Sequence, residues 1–521
     1  MAEPSPHPRR WYILGVLVVS LLVVVLDNTV LNVAMRTIAD PHQGLGATHS
    51  ELEWAINSYT LVFAGLLFTW GVIGDRVGRK RILMLGLTLF GLASLISAYA
   101  QTPEQLIWAR AFMGVGGAAV MPQTLSIITN VFDERERGRA IGIWAGSVGL
   151  AIAIGPIVGG ALLTRFWWGS VFLINVPIIV IGLIAMVFIV PESRNPRPGR
   201  LDPLGVLLSI AGLVSFVYGI IEAGQRSSVA HPEVYLPLLG GAAILVAFFV
   251  HEARSDHPSL DVRLFRDPRF AASAGAVGLI FFAMAGSLFI MTFYLQSVRG
   301  YTPLEAGLLS IPVAVAQLTV SPISSSLVRR FGARAVCGTG LSMVSLALLS
   351  YAVVTQVDSP IWWLEVAFFV MGVGMAMTMP PTTESIMSAV PREKAGAASA
   401  VQNIVRQVST AIGVAVLGSV VSISYRGSMA DSLSAVPAPL REHAGESIEG
   451  TMALAGRLGA AGRALVEPAR EAYVAAMHIT AVCAGVIAAL GVVVVLIWLP
   501  GRRRAAASDA EPGSRREPAK V

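Results

Sequence analysis

The sequence predicts an all-α membrane protein whose helices cross a bilayer fourteen times. Of the 521 residues, 55% are apolar and only 13% are charged, whereas soluble domains carry about 25% charged residues. Apolar stretches recur from Trp11 to Pro500, and each approaches the roughly 20 residues that a helix needs to cross about 30 Å of hydrocarbon. A soluble fold of this composition would expose too much apolar surface, so we expect most of the chain to lie in the bilayer.

The apolar stretches, taken in order, define the predicted helices. They span residues 11–34, 54–74, 82–100, 105–129, 139–163, 170–190, 203–222, 234–251, 273–294, 304–322, 334–354, 361–387, 397–421 and 474–499. Most Lys and Arg residues fall on the side that carries the N-terminus, which places that side in the cytoplasm. We therefore expect a multi-pass protein of the inner (cytoplasmic) membrane with both termini in the cytoplasm. The formal charge of +6 is then a topology signal, and no nucleic-acid partner is expected.

An internal repeat divides the predicted helices into two halves. The string GVGGAAVMP, which begins at Gly114 in the fourth helix, matches GVGMAMTMP, which begins at Gly372 in the twelfth. Gly138 and Gly396 continue the match into the following helices at the same spacing. Parallel halves of this kind are a known plan of membrane transporters. The predicted organisation is an N-terminal tail at 1–10, a six-helix bundle at 11–190, two additional central helices at 203–251, a second six-helix bundle at 273–499 with an outer loop at 422–473, and a disordered tail at 500–521.

The loop after the second predicted helix combines glycines, one acid and several cations. Its string GVIGDRVGRK, which begins at Gly71, resembles the G-x-x-x-D-R-x-G-R-K/R signature of the major facilitator superfamily. The resemblance implies the major facilitator fold and a gating latch between the two halves, in which the acid pairs with cations and with a helix N-terminus. The latch residues it implies are Gly71, Asp75, Arg76, Gly78 and Arg79. The alternative is a cytoplasmic anchor with helix capping alone.

The first predicted helix carries a carboxylate at membrane depth. Its string LDNTVLNVA, from Leu26 to Ala34, resembles the L-D-x-T-x-x-N-V-A motif of the fourteen-helix drug/proton antiporter branch of that superfamily. A buried carboxylate costs several kcal/mol unless water or a partner faces it, so Asp27 is the proton-site candidate. The alternative is a buried acid with a purely structural partner. The family usually has Pro where this chain has Arg36, which leaves the end of the helix uncertain.

Arg110 is the candidate partner of Asp27. The string RAFMGVG, which begins at Arg110, resembles the R-x-x-x-G-x-G motif of the fourth helix in this family, and the twelfth helix has Phe368 at the equivalent position. At 1.5 Å rise per residue, Asp27 and Arg110 fall at similar depths below the outer surface. We expect Arg110 to favour the ionised state of Asp27 and to relay its protonation. The alternative is an Arg whose donors are satisfied by backbone carbonyls.

The fifth predicted helix contains the string GPIVGG, from Gly155 to Gly160. It resembles the G-P-x-x-G-G motif of proton-driven exporters, which implies export rather than import. Pro156 is expected to kink the helix, while Gly155, Gly159 and Gly160 let the two halves close tightly on the outside. A purely structural close contact is the alternative.

Five further polar residues are candidates for lining a substrate cavity. They are Asn32, Glu222, Gln402, Asn403 and Arg406. Glu305 is not counted among them, because Thr302-Pro303-Leu304-Glu305 reads as a capping box.

The predicted function is export of lipophilic, often cationic drugs or antibiotics in exchange for protons, by alternating access and as a monomer. No phosphate-binding G-x-x-x-x-G-K-S/T string occurs, and neither a cofactor nor a metal is expected. The first alternative is a dedicated exporter of one endogenous antibiotic, siderophore or lipid. The second, a membrane-embedded enzyme, would need clustered catalytic or metal-binding side chains, whereas the histidines lie mostly in loops and tails.

Overall fold

The computed structural model describes residues 8–39, 44–47, 49–194, 202–226, 230–255, 262–391, 395–434, 447–459 and 462–499, with residues 436, 441 and 445. Within these ranges the chain is helical with short connections and has no β-strand. The predicted all-α fold class is confirmed. Residues 1–7 of the N-terminal tail predicted at 1–10, and the whole C-terminal tail predicted at 500–521, lie outside the described residues.

The helices follow one another in the predicted order. Their bounds are α1 Arg10–Ala39, α2 His49–Val77, α3 Arg79–Ala98, α4 Pro103–Val131, α5 Glu134–Leu163, α6 Ser170–Leu173, α7 Asn175–Ile189, α8 Pro203–Arg226, α9 Pro232–Arg254, α10 Pro268–Phe293, α11 Pro303–Leu308, α12 Ile311–Phe331, α13 Ala333–Val354, α14 Ile361–Ser388, α15 Ala395–Met429, α16 Ile448–Leu458 and α17 Arg463–Trp498. A 3-10 turn at Val262–Arg266 precedes α10, and a π-helical turn at Tyr294–Val298 follows it.

Thirteen of the described helical spans are long and apolar enough to cross a membrane. Helix α5, with 30 residues, is not among them, so the fourteenth crossing stays a prediction. Arg36 stands where the family usually has Pro. Helix α1 continues past this position to Ala39, so it does not end there.

The helices on either side of the outer loop predicted at 422–473 are longer than expected. Helix α15 extends to Met429 and α17 already begins at Arg463, while α16 lies between them. Buried contacts hold this segment together: Tyr425 Oη donates a hydrogen bond of 2.8 Å to Thr451 Oγ1. Because such contacts depend on the folded arrangement, the polar composition alone understated the helix lengths.

The helices pack as two similar bundles. In the first, α4 packs against α2 and α3; in the second, α14 packs against α12 and α13. The repeated glycines make the equivalent contacts, since a Cβ on Gly116 would lie 2.5 Å from the carbonyl oxygen of Gly86, and one on Gly374 would overlap that of Gly340. The sequence repeat is thus a repeat of close helix packing.

Two helix pairs form most of the contact between the two bundles. Helix α2 packs against α15, and α5 packs against α12. In the second pair, a Cβ on Gly142 would overlap the carbonyl oxygen of Ser321, and one on Gly146 would lie 3.1 Å from that of Gln317. The additional helices α8 and α9 pack on one another, and α8 also contacts α2 and α15. These pairs bring the signature loop and the polar stretch of α15 to the boundary between the bundles.

Candidate functional site

Asp27 and Arg110 form an ion pair inside the first bundle. Arg110 Nη1 donates to Asp27 Oδ2, and the two side chains are 0% and 1% exposed, Arg110 and Asp27 respectively. Asp27 comes from α1 and Arg110 from α4. A buried ion pair is costly to break, because removal of either charge leaves the other unpaired in a medium of low polarity.

The other carboxylate oxygen of Asp27 is also occupied. Asn175 at the start of α7 donates from Nδ2 to Asp27 Oδ1 at 3.0 Å and to Ser94 Oγ at 3.1 Å. Ser94 donates in turn to the carbonyl oxygen of Phe172 at 2.9 Å. The sequence did not single out Asn175 or Ser94 as site residues.

Arg110 connects the acid to helix α2. Its Nε donates to the carbonyl oxygen of Ala55 at 3.2 Å, and its Nη2 donates to Asn28 Oδ1 at 3.3 Å. The guanidinium lies over the ring of Tyr59, 4.5 Å from its centroid. A proton on Asp27 would compete with Arg110 for the carboxylate, and any displacement of Arg110 would act directly on α2.

The opposite end of α2 carries the signature loop. Asp75 accepts hydrogen bonds from the backbone nitrogens of Gly396, at 2.9 Å to Oδ2, and Ala397, at 3.3 Å. These are the first backbone donors of α15, where the helix dipole favours a negative charge. Arg79 holds Asp75 Oδ1 from the other side, with Nε at 2.9 Å and Nη2 at 2.8 Å. The carboxylate thereby bridges the two bundles.

The remaining loop residues shape this contact. A Cβ on Gly71 would lie 2.7 Å from the carbonyl oxygen of Gly396, so Gly71 permits the close approach of α2 and α15. Gly78, with a φ of 128°, precedes α3 in a conformation that favours glycine. Glu192 accepts from the backbone nitrogen of Lys80 at 3.1 Å. Arg76 is partly exposed on the last turn of α2.

A second junction lies where α5 meets the other bundle. The carboxylate of Glu384 on α14 lies near Arg137 and Arg329, and a Cβ on Gly138 would lie 2.5 Å from Glu384 Oε2. Gly138 is the repeat partner of Gly396, so this acid and the Asp75 carboxylate occupy related positions beside the two repeated glycines. Sequence reasoning missed Glu384, because a lone acid near a helix end carries no motif.

Gly396→Ala is expected to loosen the contact between α2 and α15. The added Cβ would lie 2.5 Å from the Gly71 carbonyl oxygen and 2.7 Å from Asp75 Oδ2, and such overpacking costs about 1–3 kcal/mol. The reporter is maleimide labelling of Ser399→Cys, a fully buried position one turn along α15, in a chain with Cys337 and Cys483 replaced by Ser. Labelling should be about 10-fold faster in the variant.

The matched control is Gly427→Ala on the same helix, where a Cβ would meet nothing within 4 Å. It should leave the labelling rate unchanged. Equal labelling rates in Gly396→Ala and Gly427→Ala would contradict the close contact.

The glycines of the GPIVGG string face mostly their own bundle. A Cβ on Gly155 would overlap Thr29 Oγ1, and one on Gly159 would lie 3.2 Å from Val30, both on α1. At Gly160 the nearest neighbour is Leu304 of the second bundle, at 3.5 Å. In this structure the expected closure between the halves therefore concerns Gly160, while the side chain of Pro156 lies outside the described residues.

The structure places the five candidates for the substrate cavity in different surroundings. Gln402 donates to Thr383 Oγ1 and Asn403 donates to the carbonyl oxygen of Ser399 at 2.9 Å, so both amides bond within their own bundle. Glu222 is buried on α8. Arg406 lies at the boundary of the two bundles, where its Nη2 is 3.4 Å from Met121 Sδ of α4. The side chain of Asn32 lies outside the described residues.

Comparison with known proteins places the chain in a family. The model of the Major Facilitator Superfamily matches residues 17–414, and the chain belongs to this superfamily, which confirms the family predicted from the motifs. It is a multi-pass membrane transporter.

Two curated relatives match over most of their length. The multidrug efflux pump LfrA of Mycolicibacterium smegmatis is 35% identical over 495 residues, covering 94% of this chain and 96% of the relative. The methyl viologen resistance protein SmvA of Salmonella typhimurium is 33% identical over 472 residues, covering 89% and 93%. Among solved structures, the human organic anion transporter MFSD10 shares the fold with a TM-score of 0.63 at 12% identity, covering 95% of this chain and all of that one.

Proposed function

We propose that this chain is a monomeric efflux transporter of the inner membrane that exports lipophilic, often cationic drugs or antibiotics in exchange for protons. The observation that carries the proposal is the buried Asp27 carboxylate, which is held by Arg110 and Asn175 inside membrane-spanning helices. Ionisable residues at this depth are usually functional, and proton relays are a common role. The names of the relatives LfrA and SmvA, an efflux pump and a resistance protein, support efflux.

The proton and Arg110 compete for Asp27. Both carboxylate oxygens are occupied, so a substrate cation would have to displace Arg110 to reach them. The competition between substrate and proton is therefore indirect. An external proton neutralises Asp27 and releases Arg110; loss of that proton to the cytoplasm restores the ion pair.

Helix α2 links the proton site to the latch. Arg110 is bonded to Ala55 near one end of α2, and Asp75 near the other end is bonded to the N-terminus of α15. A change at Arg110 is thus transmitted along one rigid element to the contact between the bundles. The signature loop closes the cytoplasmic side while Asp27 remains paired, and protonation biases the molecule toward the alternative state.

The membrane potential can drive efflux of a neutral substrate that is exchanged for a proton. One charge that crosses the membrane gains about 2.3 kcal/mol per 100 mV. For a neutral substrate exchanged with one proton, this supports a gradient of roughly 50-fold.

The test uses inside-out membrane vesicles that contain the full chain. Acidification of the vesicle interior should drive uptake of ethidium and tetraphenylphosphonium, and collapse of the pH gradient with nigericin should stop it. Dye uptake that persists without any proton gradient would contradict the proposal. A panel in which a single endogenous compound is transported and neither cation moves would favour the dedicated exporter instead.

A further inference from the structure

Arg406 on α15 is a cation in the protein interior that lacks a carboxylate partner among the described residues. Its guanidinium lies over the ring of Phe281 on α10, 5.6 Å from the centroid, and Nη2 approaches the Met121 sulfur of α4 at 3.4 Å. A guanidinium offers five N–H donors, which an aromatic face and a thioether satisfy poorly. The side chain is also partly exposed.

Two other interior arginines are neutralised by ion pairs. Arg110 is paired with Asp27 and Arg79 with Asp75. Gln402 and Asn403, the polar neighbours of Arg406 on α15, bond to Thr383 and Ser399 instead. Since charges in a protein interior are normally paired, Arg406 offers an unmatched positive charge to an anionic ligand.

We propose that Arg406 binds the acidic group of a lipophilic substrate at the boundary between the two bundles. Phe281 and Met121 provide an aromatic face and a polarisable side chain for the apolar part of the substrate, while the planar guanidinium binds a carboxylate through two hydrogen bonds. This inference rests on the proposed function and extends it, because it assigns lipophilic acids and zwitterions, and not cations alone, to the substrate range.

If the substrates were cations only, replacing Arg406 would have a different effect. A pump built only for cations would be hindered by a positive charge in its binding region, so removal of Arg406 would then strengthen cation binding without creating a preference for acids. The behaviour of an acid and its ester therefore distinguishes the two cases.

The experiment measures binding to the purified full-length protein in detergent, by fluorescence polarisation, of a rhodamine dye with a free carboxylate and of its methyl ester. The wild-type protein should bind the acid more tightly than the ester. Arg406→Gln should lower the ratio of the two affinities by about 10-fold or more, as expected for loss of a charge-assisted hydrogen bond. Arg406→Lys should retain part of the preference, because Lys keeps the charge without the planar fork.

The control is Arg426→Gln, an exposed arginine on the same helix, which should leave the ratio unchanged. A wild-type protein that does not prefer the acid, or an unchanged ratio in Arg406→Gln, would overturn the inference. Binding is measured without a proton gradient, so failure of gradient-driven transport in vesicles would count against the proposed function and leave this result standing.

Discussion

Asp27→Asn is expected to abolish proton-driven efflux. Asn fills the same space but does not take up a proton, so Arg110 has no titrating partner and the exchange cycle stops. The rate of ethidium uptake into acidified inside-out vesicles should fall at least about 100-fold, the lower end of what a positioned proton-transfer group contributes. Asp358→Asn, at an exposed acid, is the matched control and should transport normally.

The loss of transport must be distinguished from a loss of folding. Arg110 is 0% exposed, and leaving it without its anion costs about 3–5 kcal/mol of stability. The double variant Asp27→Asn/Arg110→Gln removes both charges, so its thermal unfolding midpoint should recover toward that of the wild type while transport stays at background. Transport that returned together with stability would show that Asp27 is only structural.

Asp75→Asn is expected to open the contact between α2 and α15. The amide has no charge for Arg79, and its nitrogen would place a donor against the donating backbone nitrogens of Gly396 or Ala397. Loss of charge-assisted hydrogen bonds of this kind costs about 1.5–3 kcal/mol, which corresponds to an increase of roughly 10- to 100-fold in the open fraction. Maleimide labelling of Ser399→Cys should accelerate accordingly, and efflux should fall by about 10-fold or more.

The corresponding control is Asp431→Asn, an exposed acid just beyond α15, which should change neither labelling nor transport. Labelling of Ser399→Cys at the wild-type rate in Asp75→Asn would argue against a latch. An intact latch contact with reduced transport would instead place the role of Asp75 in another step.

The helices were predictable because each apolar run is long and bounded by polar residues. Their ends were less so: α15 continues to Met429 and α17 begins at Arg463, since contacts such as that of Tyr425 with Thr451 stabilise helix where the composition is polar. Where the sequence contains a helix-capping motif, the motif predicted the helix end correctly. The capping box of Thr302 and Glu305 was predicted and is confirmed.

The sequence predicted at which depth in the membrane the charged residues lie, but not toward which helix each side chain points. Asp27 and Arg110 could be placed at similar depths from the helix rise, whereas Asn175 could not be assigned, because its contact depends on the rotation of α7 against α1. The partner of Asp75 at Gly396 is separated by 321 residues along the chain. The sequence likewise could not show which helix the GPIVGG glycines contact, and in the structure they lie mainly against α1.

The most direct measurement is proton release from the purified protein when substrate is added. Ethidium is added to the wild-type protein in weakly buffered detergent solution, near the pH at which Asp27 is half protonated, and the pH change is recorded. Because substrate favours the state in which Asp27 is ionised and paired with Arg110, the wild type should release up to about half a proton per chain at this pH, and Asp27→Asn should release none. Equal proton release from Asp27→Asn would contradict the account, since the exchanged proton would then come from another group.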